Sequence, residues 1–321
     1  MKKIALVGQY FPGAYETLHK NVPEGFELVD VLEMEKYPLL ADCEYMISRL
    51  NIDPDIINYV PNVRFWQRWG AGYDHVDLKA WGEKGVPIAI CPGVNSGIVS
   101  ELAIMLMIAG YRNLLQINRD LRRGHWPKTE YFGRSFMIRG KTVGILGLGH
   151  IGKKVAALVT AFGANVIYYD IERQWEQEEK FGYRFVDMDT LLHESDIFTI
   201  HCPLDETTRG MIGYAEIAKM KPTAMLINTA RGPIVVEEAL IDALKTGKIA
   251  TAGLDTYERE PLPADHPLLT LDNVVASAHA GGNTKDNDIN MVNYVYSNIV
   301  SFDKGLPLNT DKDVVNGMYL K

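Results

Sequence analysis

An α/β fold of two doubly wound, parallel-sheet domains is predicted by three features of this 321-residue sequence. Short apolar runs alternate with helix-like segments, the pattern of strand–helix–strand units. One such run, Thr142 to Leu146, leads directly into a glycine turn and then a helix. A last helical stretch, Lys285 to Asp303, follows the final strand and is placed to carry the tail back to the first domain. The length suits about two domains. The expected division is residues 1–100 plus 286–321 for a smaller, discontinuous domain and 101–285 for a larger inserted one.

In chain order, residues 3–8 read as a buried strand, and Gln9 to Gly13 turn the chain into a helix. Leu28 to Leu32, Tyr45 to Ser48, Val63 to Trp66 and Val86 to Cys91 read as four further strands, the last closed by Pro92-Gly93. Ser100-Glu101 opens a helix expected to run unbroken through about Leu121. Arg122 to Arg139 is polar and irregular, and reads as a surface loop or as an arm around a partner subunit.

The second series begins with Gly147, Gly149 and Gly152, the G-x-G-x-x-G spacing of a dinucleotide-binding turn. The first glycine allows the tight turn, the second lets the backbone approach a pyrophosphate, and the third lets helix and strand pack closely. The following helix points its unpaired N–H groups at the phosphates. The strand Asn165 to Tyr169 ends in Asp170, 23 positions after Gly147. That is close to the roughly 20-residue spacing at which an acid takes the adenosine ribose hydroxyls. A carboxylate there repels a 2′-phosphate and favours NAD over NADP. Arg173, three residues on, is the feature that argues the other way. Strands at Ile197 to His201, Ala224 to Asn228, Ala250 to Leu254 and Val274 to Ala276 complete the series. Ligands of open α/β sheets sit at the carboxyl ends of the strands. Asp170, Arg231, Asp255 and His279 are therefore expected to converge.

Composition narrows the function. An apolar content of 47% and a charged content of 23% are those of a globular protein. The net charge of −8 argues against nonspecific nucleic-acid binding. Cys43, Cys91 and Cys202 are far apart and form no C-x-x-C pair, so neither a disulfide framework nor a metal site is expected. The apolar run Ile4 to Gly8 is too short for a signal peptide, and none of the later runs reaches the ~20 residues of a membrane span. A cytoplasmic protein is expected.

Three residues carry candidate chemistry. Arg231 ends an apolar strand, and its planar fork suits a carboxylate; a structural ion pair with Glu237 or Glu238 is the alternative. Glu260 taken alone suits a surface loop. His279 lies among Ala278, Ala280, Gly281 and Gly282, which leave room for a ligand. Together the last two form a unit. Histidine exchanges a proton near neutral pH. A carboxylate at its other nitrogen fixes the tautomer and stabilises the imidazolium. His201, with Cys202 and Pro203, reads as lining near the adenine rather than as a second base.

The segments Arg68-Trp69-Gly70-Ala71-Gly72-Tyr73-Asp74, Asn95-Ser96 with Glu101, the glycine turn, Asn228-Thr229-Ala230-Arg231-Gly232, Asp255 with Glu260-Pro261, and Ser277-Ala278-His279 resemble the D-2-hydroxyacid dehydrogenases. The resemblance implies a Rossmann NAD-binding domain inserted in a smaller, flavodoxin-like substrate domain. It implies Arg231, Glu260 and His279 as the catalytic set. Trp69, Gly70 and Ala71, with Arg231 and His279, are implied to bind substrate. NAD contacts are implied from Gly147, Gly149, His150, Ile151, Gly152, Asp170, His201, Cys202, Pro203, Thr208, Thr229, Ala230, Arg231, Asp255, His279 and Gly281. A homodimer built on the nucleotide domains is implied as well. Two departures stand beside the site: Pro233 replaces a common glycine, and Ala278 a common proline. With the chain ending at Lys321, the regulatory extension of some phosphoglycerate dehydrogenases is not expected.

The reading is an NAD-dependent reductase of small 2-oxo acids. The alternative is an NAD(H)-sensing binding protein of the same fold. Arg49 and Arg68 either meet a substrate phosphate or are surface charges. Trp66 and Trp69 either narrow an apolar pocket or pack.

Overall fold

The computed structural model describes residues 1–49 and 52–320. The chain divides into two compact units, residues 1–95 with 283–321 and residues 96–282, so the expected boundaries lie a few residues too far along. In chain order the first unit begins with β1 (Lys2–Val7), α1 (Pro12–Lys20), β2 (Phe26–Val31), β3 (Tyr45–Ser48), β4 (Phe65–Arg68), α2 (Leu78–Glu83) and β5 (Ile88–Ala89). The second unit opens with α3 (Ser96–Tyr111) and α4 (Leu114–Arg122), then β6 (Thr142–Leu146), α5 (His150–Ala161), β7 (Asn165–Tyr169), α6 (Trp175–Phe181) and β8 (Arg184–Phe185). It continues through α7 (Met188–Glu194), β9 (Ile197–Ile200), α8 (Tyr214–Lys219), β10 (Met225–Asn228), α9 (Glu237–Thr246), β11 (Thr251–Leu254), α10 (Pro267–Thr270) and β12 (Val274–Ala276). Helix α11 (Asp288–Asp303) returns the chain to the first unit.

The first sheet has the order β2-β1-β3-β4-β5 and every ladder in it is parallel. That is the flavodoxin-like order. Its interior strand β1 is apolar on both faces from Ile4 to Val7, as a covered parallel sheet requires. Along β1, Ile4 and Leu6 face the core that includes Met291 and Val295 of α11. Ala5 and Val7 face the opposite core with Met46 and Trp66. Trp66 is packing: it lies against Trp81 at 4.6 Å, and its Nε1–H donates to Ser48 Oγ at 2.8 Å. Strand β4 begins two residues later than expected, so Gln67 and Arg68 are strand residues and buried.

The second sheet has the order β12-β11-β10-β9-β6-β7-β8, again all parallel. Its strand order reverses between β6 and β9, the topological switch point of a Rossmann sheet. The long helix expected from Ser100 to Leu121 is two helices bent by 62°. Helix α3 buries Ala103, Leu106 and Met107 on this sheet. The break falls at Asn113, which sits at φ +50 and anchors the later loop by donating from Nδ2 to Arg134 O and Ser135 Oγ, each at 3.1 Å. Asparagine tolerates that left-handed conformation better than most residues. Beyond the break, α4 has no buried side chain.

Candidate active site

The glycine turn at the end of β6 is built by close approach. Gly147 has φ +92, and a Cβ there would lie 2.6 Å from Cys202 N, so only glycine fits. A Cβ on Gly152 would lie 2.1 Å from Gly147 O, whereas Gly149 faces open space. Helix α5 starts at His150, and its N-cap, Gly149, supplies no side-chain cap. The positive end of α5, at His150 and Ile151, is thus presented as an anion cradle. Asp170, after β7, reaches back to this turn: Oδ2 accepts Leu148 N–H at 2.6 Å, and Oδ1 accepts Glu172 N–H at 3.1 Å.

On the other side of the switch point, His201 Nε2 pairs with Thr199 Oγ1 at 2.8 Å. Its Nδ1 is sealed from solvent without a partner among the described residues, and burial pushes the imidazole down to about 3. Such a histidine is uncharged at neutral pH, with a single ring N–H, and lacks the second proton that an acid would give. Burial pushes the neighbouring Cys202 thiol up to about 12, so it too stays neutral. Thr229 Oγ1, beyond β10, is likewise buried and unpartnered. These orphaned polar atoms at the carboxyl ends of β9 and β10 fit a nucleotide that brings its own donors and acceptors. Thr208 has partners within its own loop. It is buried, donates to Pro203 O at 2.7 Å and accepts Asp205 N–H at 2.9 Å, so it shapes the loop that carries Pro203.

Three successive strand ends assemble the proton-handling cluster. His279 Nδ1 lies 2.6 Å from Glu260 Oε2, and Glu260 Oε1 accepts Tyr257 N–H at 3.1 Å. Burial alone would raise the Glu260 carboxyl. The His279 hydrogen bond and charge, Tyr257 N–H and the Arg231 cation outweigh it and hold Glu260 below its ordinary value. Glu260 is therefore a carboxylate at neutral pH. Arg231 follows β10, where Asn228 braces the turn by donating from Nδ2 to Arg231 O at 2.9 Å and accepting Ala230 N–H at 3.1 Å. Of the two alternative partners, Glu237 and Glu238, Glu237 also pairs with His266 at 3.0 Å. Gly232 sets the approach of the two loops: a Cβ there would lie 1.9 Å from Tyr257 C.

His279 itself has φ +50, a strained position for a non-glycine residue. Asp255 holds it there. His279 N–H donates to Asp255 O at 2.8 Å, and the Asp255 carboxylate accepts Ser277 Oγ–H at 2.7 Å and the N–H groups of Ala280 and Gly281 at 2.9 Å each. Asp255 is 1% exposed, and these bonds clamp the histidine loop. The clamp partner Ser277 and the brace Asn228 had a sequence signal, a polar residue closing an apolar strand. Gly232 had none beyond its adjacency to Arg231. Ala278, one of the two departures, is exposed, and Pro233 is the middle residue of a single 3-10 turn, Gly232–Ile234.

In the first unit, the loop after β4 offers backbone rather than side chains. Trp69 is implied to bind substrate, but its N–H donates to Ser48 O at 2.7 Å, so that amide is spent within the first unit. Gly70 and Ala71 N–H have no acceptor among the described residues. Gly70 O accepts Cys91 N–H at 2.9 Å, and because a trans peptide is planar this aims Ala71 N–H the opposite way. Arg68 is 6% exposed and is no surface charge. Its guanidinium donates to Gly72 O at 3.3 and 3.1 Å, closing the same loop. Arg49 lies over the Phe11 ring at 3.8 Å.

Residues 104–281 match the sequence model described as D-isomer specific 2-hydroxyacid dehydrogenase, NAD binding domain. The chain is 38% identical over 278 residues to a D-3-phosphoglycerate dehydrogenase of Archaeoglobus fulgidus, a match covering 87% of this chain and 52% of that one. It thus spans about half the length of that relative. It is 38% identical over 303 residues to a glyoxylate reductase of Thermococcus litoralis, covering 92% and 89% of the two chains. A glyoxylate reductase structure from Paecilomyes thermophila superposes with a TM-score of 0.83 at 31% identity, over 97% and 98% of the chains. The second unit is a Rossmann NAD-binding domain, and the chain belongs to the D-isomer specific 2-hydroxyacid dehydrogenase family.

Proposed function

We propose that the chain reduces a small 2-oxo acid to its D-2-hydroxy acid with NADH, and that Arg231, Glu260 and His279 perform the chemistry. The observation that carries this is the 2.6 Å contact between His279 Nδ1 and Glu260 Oε2, with the Arg231 charge beside it. NADH, when bound, supplies the hydride. With Nδ1 held by Glu260, the proton that moves is the one on Nε2. It passes to the 2-oxo oxygen as the 2-oxo carbon gains the hydride, and the ionised Glu260 stabilises the imidazolium before transfer. Arg231 orients the carboxylate and carbonyl of the substrate. Within the first unit, the N–H groups of Gly70 and Ala71 are the candidates for binding a carboxylate.

The relatives named above act on glyoxylate, a 2-oxo acid, and on phosphoglycerate, a 2-hydroxy acid, and the interconversion of those two groups beside a carboxylate is the chemistry they share. The test is loss of NADH absorbance with glyoxylate, hydroxypyruvate, pyruvate, 2-oxoisocaproate and phosphohydroxypyruvate. Turnover of at least one is expected. Failure with all five would favour a protein that binds NAD(H) as a signal.

We also propose a homodimer formed through the second unit, in a reducing compartment such as the cytoplasm. Supporting the dimer, Leu114, Leu115 and Leu121 of α4 are exposed, as are Trp126 (76%) and Phe132 (87%) of the following arm. So much exposed apolar surface in one segment is characteristic of an interface. Light scattering at a mass near 36.0 kDa rather than twice that would overturn it. Supporting the compartment, Cys43, Cys91 and Cys202 are all free thiols. Among the described residues no single helix is long and apolar enough to cross a membrane.

A further inference from the structure

Arg173 is the one cation near the ribose acid Asp170 in sequence, and the mechanism leaves it without a task. It is not idle. Its Nε–H and an Nη2–H donate to the two oxygens of Glu178, each at 2.8 Å, in the bidentate fork that makes arginine–carboxylate pairs strong. The guanidinium carbon also lies over the Trp175 ring, 3.7 Å from the centroid. Glu178 is itself fixed from a second side, since Tyr168 O–H donates to its Oε1 at 2.8 Å. Tyr168 in turn accepts Gln174 N–H at 2.8 Å, which pins the backbone beside Arg173. The pairing holds the Glu178 carboxyl below its ordinary value, so the lock stays charged through the neutral range.

We propose that Glu178 is the specificity-determining residue that keeps Arg173 from serving a 2′-phosphate, and so makes the second unit select NAD(H) over NADP(H). Asp170 repels the phosphate, and Glu178 removes the nearest cation that could compensate. Two elements oppose NADP(H), and only one of them was visible in the glycine-turn spacing. A free arginine three residues past the ribose acid is a natural phosphate ligand; an arginine forked to glutamate and lying over tryptophan must give up both contacts first. This deepens the reading of the chain as an NAD-dependent enzyme and rests on it.

The test is a double-mutant cycle read by binding as well as turnover. Calorimetry measures Kd for ADP-ribose and for 2′-phospho-ADP-ribose in the wild type, Glu178→Gln, Arg173→Ala and the double variant. In the wild type, ADP-ribose binds more tightly. Glu178→Gln is expected to tighten 2′-phospho-ADP-ribose about ten-fold and to leave ADP-ribose within about two-fold. Adding Arg173→Ala is expected to cancel that gain. NADPH kcat/KM with a turned-over 2-oxo acid should follow the same pattern. A gain that survives in the double variant would show that Glu178 acts by its own charge, and would overturn the proposal. So would a loss of 2′-phosphate binding in Arg173→Ala alone, which would mean that the cation is already available. If Glu178→Gln unfolds, Tyr168→Phe, which loosens Glu178 from one side, is expected to give a two- to three-fold gain in the same direction. No gain there overturns the proposal. Failure of the wild type to bind ADP-ribose at all would instead sink the NAD reading itself.

Discussion

The two sheets end in different chemistry. Strands of the second unit close on ionisable or polar side chains, namely Asp170, Arg231, Asp255 and His279, each held by its neighbours. Strand β4 of the first unit closes on bare backbone. Its charged side chain, Arg68, is turned inward to brace the loop, and the groups on offer are the N–H of Gly70 and Ala71. Side-chain chemistry can be tuned by one substitution, whereas backbone chemistry depends on the loop that aims it. The second unit should therefore lose rate when altered, and the first unit should lose substrate affinity.

The largest effect expected is on the proton-handling cluster. Glu260→Gln keeps a hydrogen-bond acceptor but removes the charge that stabilises the imidazolium. A fall of about 10²-fold in kcat is expected in steady-state NADH oxidation, with KM little changed. A larger rise in KM than fall in kcat would assign Glu260 to substrate binding and blur the contrast between the units. Next is Gly232→Ala. Its Cβ would fall 1.9 Å from a backbone carbon that cannot yield, so a loss of about 3 kcal/mol is expected from urea unfolding. In the first unit, Ala71→Pro removes one N–H and nothing charged. A rise of about ten-fold in KM for the 2-oxo acid is expected, with kcat nearly unchanged. A matching loss in kcat would show that the backbone loop shapes the transition state as well.

The smallest effect concerns pH. His201 is pushed from about 6.5 down to about 3 by burial, so the folded protein keeps it neutral while the unfolded chain protonates it. Its contribution is complete above about pH 6.5 and is lost progressively as pH falls towards 3. His201→Asn is expected to flatten the acid limb of the stability curve over that window. Thermal unfolding between pH 7 and 4 checks this, and an unchanged slope would place the acid sensitivity in other groups.

The same contrast explains what was legible in the sequence. Strands such as β1, β6, β9 and β10 were readable because they are short apolar runs, whereas the two-residue edge strand β8, Arg184–Phe185, has no such run. The turn at Gly147 was readable because only glycine permits its contact with Cys202 N. His279, Glu260 and Arg231 were picked out by the order of the motifs, since Glu260 taken alone suits a surface loop; the 2.6 Å contact of His279 with Glu260 is what the structure adds. The bend at Asn113 was hidden, since the apolar character of the segment runs on through Leu114 and Leu115 while burial stops at Tyr111. The task of Asp255 was hidden because a carboxylate that accepts backbone N–H groups looks, as a letter, like one that meets a ligand. The spent amide of Trp69 was hidden because β4 runs two residues further than its apolar run, which brings Ser48 O opposite that N–H.

The central claim is that His279 delivers the proton. Single-turnover reduction of a 2-oxo acid by His279→Ala, alongside NADH binding by fluorescence, tests it most directly. A rate lower by about 10³-fold with NADH affinity within about two-fold of the wild type is the expected result. Near-normal turnover by that variant would contradict the account and remove His279 from the reaction.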